Sequence, residues 1–171
     1  MDTVKLEIPL DFITTLVHLT WRELLFGVEN ELISPSTAVD FAIEALDRVG
    51  ESPRLAELAT QTSTESIVWH VKELAKSEPE QQLDAIKEKW LYVVLAWVYE
   101  RRAEFSDAFQ LVEQIYADFD YPREIISFVR YMPMEGPDLG SISNNEDRLR
   151  QNWKRYLHEQ AEKHGSLDVA R

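Results

Sequence analysis

Lys89-Trp90-Leu91-Tyr92-Val93-Val94-Leu95-Ala96-Trp97-Val98-Tyr99-Glu100 holds the longest apolar stretch of the chain, ten residues between a lysine and a glutamate. A helix needs roughly 20 apolar residues to cross a bilayer, so the stretch reads as a core helix and not as a membrane span. Upstream, Leu83 and Ile86 fall in one stripe with Trp90, Val93, Val94 and Trp97, and Leu91, Leu95 and Val98 widen it. A helix that is apolar around most of its circumference must be covered on several sides. Ser77-Glu78-Pro79-Glu80 has the pattern of a capping box, in which the serine oxygen and the glutamate carboxylate satisfy amide donors at a helix start. Together these residues predict a mostly buried central helix near residues 80–101.

The same helical punctuation recurs in both directions. Ser34-Pro35 and Ser52-Pro53 place a capping residue before a proline, whose missing amide hydrogen costs nothing at the first helical position. From Ser34, Ala38, Val39, Phe41, Ala42, Ala45, Leu46 and Val49 keep helical spacing, and Gly50 follows as a stop. Thr20 to Phe26 reads as a short helix terminated by Gly27, and Thr64 to Lys76 as another. Ser106-Asp107 opens a helix carrying Phe109, Val112, Ile115, Tyr116 and Phe119, and Tyr121-Pro122 restarts the chain toward Tyr131 as a tight helix–turn–helix corner. Pro133, Gly136, Pro137 and Gly140 mark Met132 to Ser143 as the longest loop. Asn144 or Asn145 then caps a last helix, which runs to about Lys163 before Gly165 and packs through Trp153, Tyr156 and Leu157. Only Val4 to Leu10 alternates with period two, and Pro9 would confine such a strand to a sheet edge. With no fixed repeat and no dividing linker, the expectation is an all-α protein, a single compact domain over residues 1–171 with about seven or eight helices.

Composition excludes much of the usual chemistry. The absence of cysteine removes thiol nucleophiles, thiolate zinc sites and any sign of an oxidising compartment. Charges at Asp2, Lys5, Glu7 and Asp11 rule out the pattern of a signal peptide, and a cytoplasmic location is the expectation. There is no Gly-x-Ser-x-Gly elbow, and the five glycines never cluster into a phosphate cradle. The four histidines form no His-Glu-x-x-His motif, and His158 with Glu162 on a charged helix reads as a surface pair. His70, among Val68, Trp69 and Val71, reads as a partly buried imidazole with its own partner before it reads as a metal ligand. Asp118-Phe119-Asp120 resembles a fragment of a calcium loop without the glycine and distal glutamate that an EF-hand requires. Trp90, Trp97 and Tyr116 read as core residues. No catalytic set, metal ligand set or cofactor is expected.

The formal net charge is −13, with 18 acids against 8 bases in residues 1–100 and 13 against 10 in residues 101–171. Such a chain repels nucleic acid backbones and anionic membrane surfaces, and it suits a basic protein partner whose field is complementary. Asp40, Glu44 and Asp47 share one helix face, a pattern that also describes an ordinary solvated side.

Three stretches carry a family resemblance: Leu19-Thr20-Trp21-Arg22-Glu23-Leu24-Leu25-Phe26-Gly27 with Leu32-Ile33-Ser34-Pro35; Lys89-Trp90-Leu91-Tyr92-Val93-Val94-Leu95-Ala96-Trp97; and Ile115-Tyr116-Ala117-Asp118-Phe119-Asp120-Tyr121-Pro122 leading to Phe128-Val129-Arg130-Tyr131-Met132-Pro133. Over roughly Thr14 to Glu159 the chain resembles a small bacterial helical family catalogued as a domain of unknown function. Its members look like immunity proteins of contact-dependent or other polymorphic toxin systems. The resemblance implies an antitoxin that binds one cognate toxin domain, a cationic RNase or tRNase, and it carries over no catalytic residue. The partner-binding candidates are Asp40, Glu44 and Asp47 on one helix, Asp118 and Asp120 at the acidic corner, and Tyr121 as an aromatic anchor. The alternatives are a helical adaptor or homodimer, and a metal-dependent helical enzyme using carboxylates and His70.

Overall fold

Eight α-helices, two short 3-10 turns and no strand make up the regular structure of the residues that this computed structural model describes, 5–133 and 136–168. The helices are α1 (Leu10–Leu16), α2 (Trp21–Glu29), α3 (Pro35–Val49), α4 (Pro53–Ala59), α5 (Thr64–Lys76), α6 (Leu83–Glu100), α7 (Ala108–Asp118) and α8 (Ile142–Asp168). The 3-10 turns are Arg102–Glu104 and Arg123–Phe128. The described residues fall into two compact units, one within Val4–Trp90 and one within Leu91–Arg171, and α6 contributes to both. None of these helices is long and apolar enough to cross a membrane.

In the Val4–Trp90 unit, α5 packs against α2, α3 and α4, while α3 also meets α1, α2 and α4. The helix starts at Pro35 and Pro53 and the span Thr64–Lys76 are those the sequence predicts. Neither Ser34 nor Ser52 accepts a helix amide hydrogen on its hydroxyl oxygen; Ser34 Oγ lies 2.8 Å from Ser36 Oγ and 3.1 Å from Thr37 Oγ1.

Three local signals in this unit read differently in the structure, while the all-α expectation holds among the described residues. The first is the period-two alternation: Val4 lies outside the described residues, and Lys5 to Pro9 is irregular, with Leu10 already in α1. A backbone bond from Ile8 N to Leu32 O at 3.1 Å ties the segment down, and Glu7 turns it with φ 44°. The alternation records Ile8 and Leu10 buried between exposed neighbours, without a partner strand.

Gly27 is the second correction, because α2 runs through it to Glu29. A Cβ at Gly27 would sit 2.4 Å from Cζ2 of Trp90, so glycine is required there for close approach of the indole and not as a stop. The indole is held in place by its own N–H, which donates to Glu23 O at 2.7 Å.

Third, Ser77-Glu78-Pro79-Glu80 does not cap the central helix, which begins at Leu83. Ser77 ends α5 and donates its hydroxyl to Leu74 O at 2.6 Å. The capping box of this unit is Thr20 with Glu23: Glu23 N donates to Thr20 Oγ1 at 3.2 Å, and Thr20 N to Glu23 Oε2 at 2.8 Å. Glu78 serves the same helix end, since its Oε1 accepts from Arg22 N at 2.9 Å. Two of the orphan amides at the start of α2 are thereby satisfied, one locally and one across 56 residues of chain.

In the Leu91–Arg171 unit, Val93, Val94, Leu95 and Val98 are fully buried; in the Val4–Trp90 unit, the stripe's predicted first residue, Leu83, is 54% exposed. The buried central helix is thus present, and its covered part begins at Ile86. Helix α8 packs on the Arg123–Phe128 turn through Trp153 and Tyr156, as the aromatic side of that helix predicts. Trp153 stacks on Phe128 at 5.9 Å and meets Tyr99 edge-on at 5.1 Å, and Asn152 Nδ2 donates to Ser127 O at 2.9 Å. The restart after Pro122 is this 3-10 turn and not a second α-helix. Helix α8 begins at Ile142, where Ser141 Oγ accepts from Asn144 N at 3.1 Å, and its backbone passes through Gly165 to Asp168. Asn145 is occupied elsewhere, its Oδ1 accepting from Leu139 N at 3.1 Å.

Candidate functional site

Packing of α1 on α3 creates a groove of about 500 Å³ lined by Glu7, Pro9, Leu10, Asp11, Ser34, Thr37, Asp40, Ile43 and Glu44. Asp40 and Glu44 stand one helical turn apart on α3 and are exposed. Glu7 and Asp11, also exposed, come from the start of α1 and the turn before it. Four carboxylates therefore share one concavity, and no lysine or arginine lines it. No ion pair joins any of the four to a described residue. Ile43, 46% exposed, and Pro9 add apolar surface to the same wall. Asp47 continues the exposed face of α3 by another turn without lining the groove.

Sequence periodicity identifies Asp40 and Glu44 but misses Glu7 and Asp11. Glu7 falls in the period-two alternation of Val4 to Leu10 and Asp11 lies just beyond it, so neither is read as a neighbour of α3. The bend at Glu7 and the helix start at Leu10 bring them beside α3 instead. Glu7 adopts a left-handed conformation that costs a non-glycine residue on the order of 1–3 kcal/mol.

Asp118, Asp120 and Tyr121 lie in the other unit, at the end of α7. Here the backbone forms a Schellman stop: Tyr121 N donates to Tyr116 O at 2.8 Å, and Asp120 N to Ala117 O at 3.2 Å. Asp120 (φ 61°) occupies the left-handed position that glycine usually fills, a role that aspartate tolerates better than most residues. Tyr121 follows at φ 58°, 61% exposed, its ring edge-on to buried Tyr116 at 5.2 Å. Tyr131, 56% exposed, flanks the same ring at 6.1 Å. Asp118 is half-buried and Asp120 exposed, and both take part in further interactions. The calcium-loop resemblance of this segment thus belongs to a helix stop.

Nearby, Arg130 acts as a strut. Its Nη1 and Nη2 donate to the two oxygens of Asp107 at 3.2 and 3.0 Å, and its Nε to Glu113 at 3.2 Å. Asp107 in turn accepts from Phe109 N and Gln110 N and so caps α7. The Arg130 hydrogen bond holds the Asp107 carboxyl below its ordinary range.

His70 and His158 have ordinary surroundings. His70 is mostly buried, edge-on to Trp69 at 4.9 Å and 4.0 Å from Glu57, and His158 and Glu162 are an exposed pair at 3.4 Å. Among the described residues, no three His, Asp or Glu side chains are grouped so as to hold a metal ion.

Fold and site together define an acidic protein whose regular structure is all helical and whose anionic groove has no compensating cation, both among the described residues. The chain belongs to the bacterial family described as "uncharacterized protein conserved in bacteria (DUF2247)", whose model matches residues 10–161. That span contains all three stretches on which the resemblance to a bacterial family of unknown function rests. No curated protein and no solved structure matches the chain.

Proposed function

We propose that this protein is a cytoplasmic immunity protein that binds a cognate bacterial toxin domain, a cationic RNase or tRNase, and neutralises it by noncovalent occlusion without any catalytic step of its own. The observation that carries this reading is the groove in which Glu7, Asp11, Asp40 and Glu44 face one another without a cation. Carboxylates gathered in a concavity focus the field outward and raise the encounter rate with a basic partner by about 10- to 1,000-fold. An enzyme that must attract nucleic acid carries the complementary charge around its own site. The strained backbone at Glu7 fits the same role, because strain held at a surface site points to a geometry kept for recognition. Ile43 and Pro9 supply the apolar contact that a purely electrostatic patch lacks. Asp47 extends the patch along α3, and Tyr121, with Asp118 and Asp120, is the second candidate contact.

The test is co-expression with the toxin domain encoded beside this gene, read by growth and by co-purification on one tagged partner. The expected result is rescue with a stable complex. Asp40→Lys with Glu44→Lys should lower the association rate by about tenfold or more at low salt and flatten its salt dependence. Rescue and association unchanged by that pair would remove the groove from the interface; no rescue and no complex would overturn the reading.

A further inference from the structure

A cavity of about 700 Å³ lies within the Leu91–Arg171 unit, walled by the turn after α6, the start of α7 and α8. Its lining joins three aromatic residues, Phe105, Phe109 and Trp153, to three guanidiniums, Arg102, Arg130 and Arg150. In a chain of net charge −13 such a gathering of cations runs against the general surface.

The three arginines are not equivalent. Arg130 is committed to Asp107 and Glu113, which take three of its five N–H groups, and Glu146 stands 4.0 Å from its Nη1. Arg150 gives Nη1 to Asp147, its neighbour along α8, and keeps its other donors. Arg102 gives Nη1 to Tyr99 O at 2.7 Å and lies 4.2 Å above the Tyr99 ring, and it pairs with no carboxylate among the described residues. Trp153 adds its ring to the lining; it is 1% exposed, and its enclosed indole N–H meets no acceptor among the described residues.

We propose that this cavity binds an organic carboxylate, whose head accepts hydrogen bonds from Arg102 and Arg150 while its apolar body lies against Phe105, Phe109 and the Trp153 ring. A planar carboxylate matches the guanidinium fork. Asp107 and Glu146 share the lining, and Glu113 and Asp147 pair with Arg130 and Arg150 from outside it, so Arg102 is the lining guanidinium without a carboxylate partner among the described residues, and one unmatched cation suits a monoanion better than a phosphate dianion. The site uses no residue of the acidic groove and stands or falls separately from toxin binding.

The test is a titration of the full chain labelled with nitrogen-15, following the indole N–H resonance of Trp153, one of five tryptophans. The probes are benzoate, its neutral isostere benzamide, and inorganic phosphate. Benzoate should shift that resonance saturably with half-saturation below about 10 mM, and benzamide and phosphate should act at least about tenfold more weakly. Arg102→Gln with Arg150→Gln should weaken benzoate by about tenfold or more, while Arg48→Gln with Arg54→Gln, the same charge change outside the lining, should not. No saturable shift, an equal response to benzamide or phosphate, or equal loss in both double variants would overturn the proposal. The probe comparison needs no substitution, so it decides even if a variant misfolds.

Discussion

Two regions of the Val4–Trp90 unit treat carboxylates in opposite ways. Glu23, 2% exposed, is fully engaged: Lys89 Nζ lies 2.8 Å and Gln81 Nε2 3.1 Å from Oε1, and Thr20 N donates to Oε2. Around it, Thr20 Oγ1 donates to Gln81 Oε1 at 2.6 Å, and Lys89 also reaches His18 O at 3.0 Å. In the groove, Glu7, Asp11, Asp40 and Glu44 stay exposed and unpaired with any described residue. A buried charge persists only when its oxygens are matched, whereas an exposed one is solvated and remains available to a partner. The first region therefore belongs to stability, and the second is the one on which the proposed partner contact rests.

The largest effects should come from the engaged region. Trp90→Ala removes a fully buried indole and its bond to Glu23 O, and equilibrium urea unfolding should show a loss of about 3–5 kcal/mol. Glu23→Ala leaves Lys89 charged at 18% side-chain exposure and should cost about 3–5 kcal/mol. Glu23→Leu with Lys89→Met should cost less than Glu23→Ala, because no charge is stranded; a double variant at least as unstable would mean that the network holds the fold by its hydrogen bonds more than by its charge balance.

A smaller loss, about 1–3 kcal/mol, is expected for Gly27→Ala, since the added methyl meets the pinned Trp90 ring. If Gly27 were instead a dispensable helix residue, alanine would stabilise α2, so the sign of the change in Tm separates the two roles. Asp107→Asn tests the engaged pattern in the other unit. Its carboxyl is held low by Arg130, so its contribution is present above the unfolded pKa of about 3.9 and is lost as pH falls through the lower folded value. The Tm deficit of Asp107→Asn at pH 7 should therefore shrink below about pH 4, and a deficit that persists at lower pH would show that the ion pair is not its source. The smallest effect on stability belongs to the groove, where Asp40→Asn with Glu44→Asn should stay within about 0.5 kcal/mol of the parent. A loss above about 2 kcal/mol would place these carboxylates with Glu23 and break the comparison.

Local signals were read correctly where they act over one turn. Pro35, Pro53 and the periodicity of Thr64 to Lys76 mark helices at the residues where they occur. The misreadings share one cause. Gly27 resembles a stop until Trp90, 63 positions away, claims the space above it, and Ser77-Glu78 resembles a cap until Arg22 takes the glutamate. Half of the groove was legible, because Asp40 and Glu44 share a helical period, but Glu7 and Asp11 join them only through the contact of α1 with α3.

The residues alone determined the all-α class, the buried stripe of α6, the helix starts at proline and the strongly acidic charge, because each depends on neighbours within a few positions or on composition. Tertiary structure decided which carboxylates are matched and which are left facing solvent, and which glycine is a stop and which a gap for an indole. Those choices depend on atoms brought together from distant parts of the chain, and burial, unlike helical propensity, is set by what lies opposite.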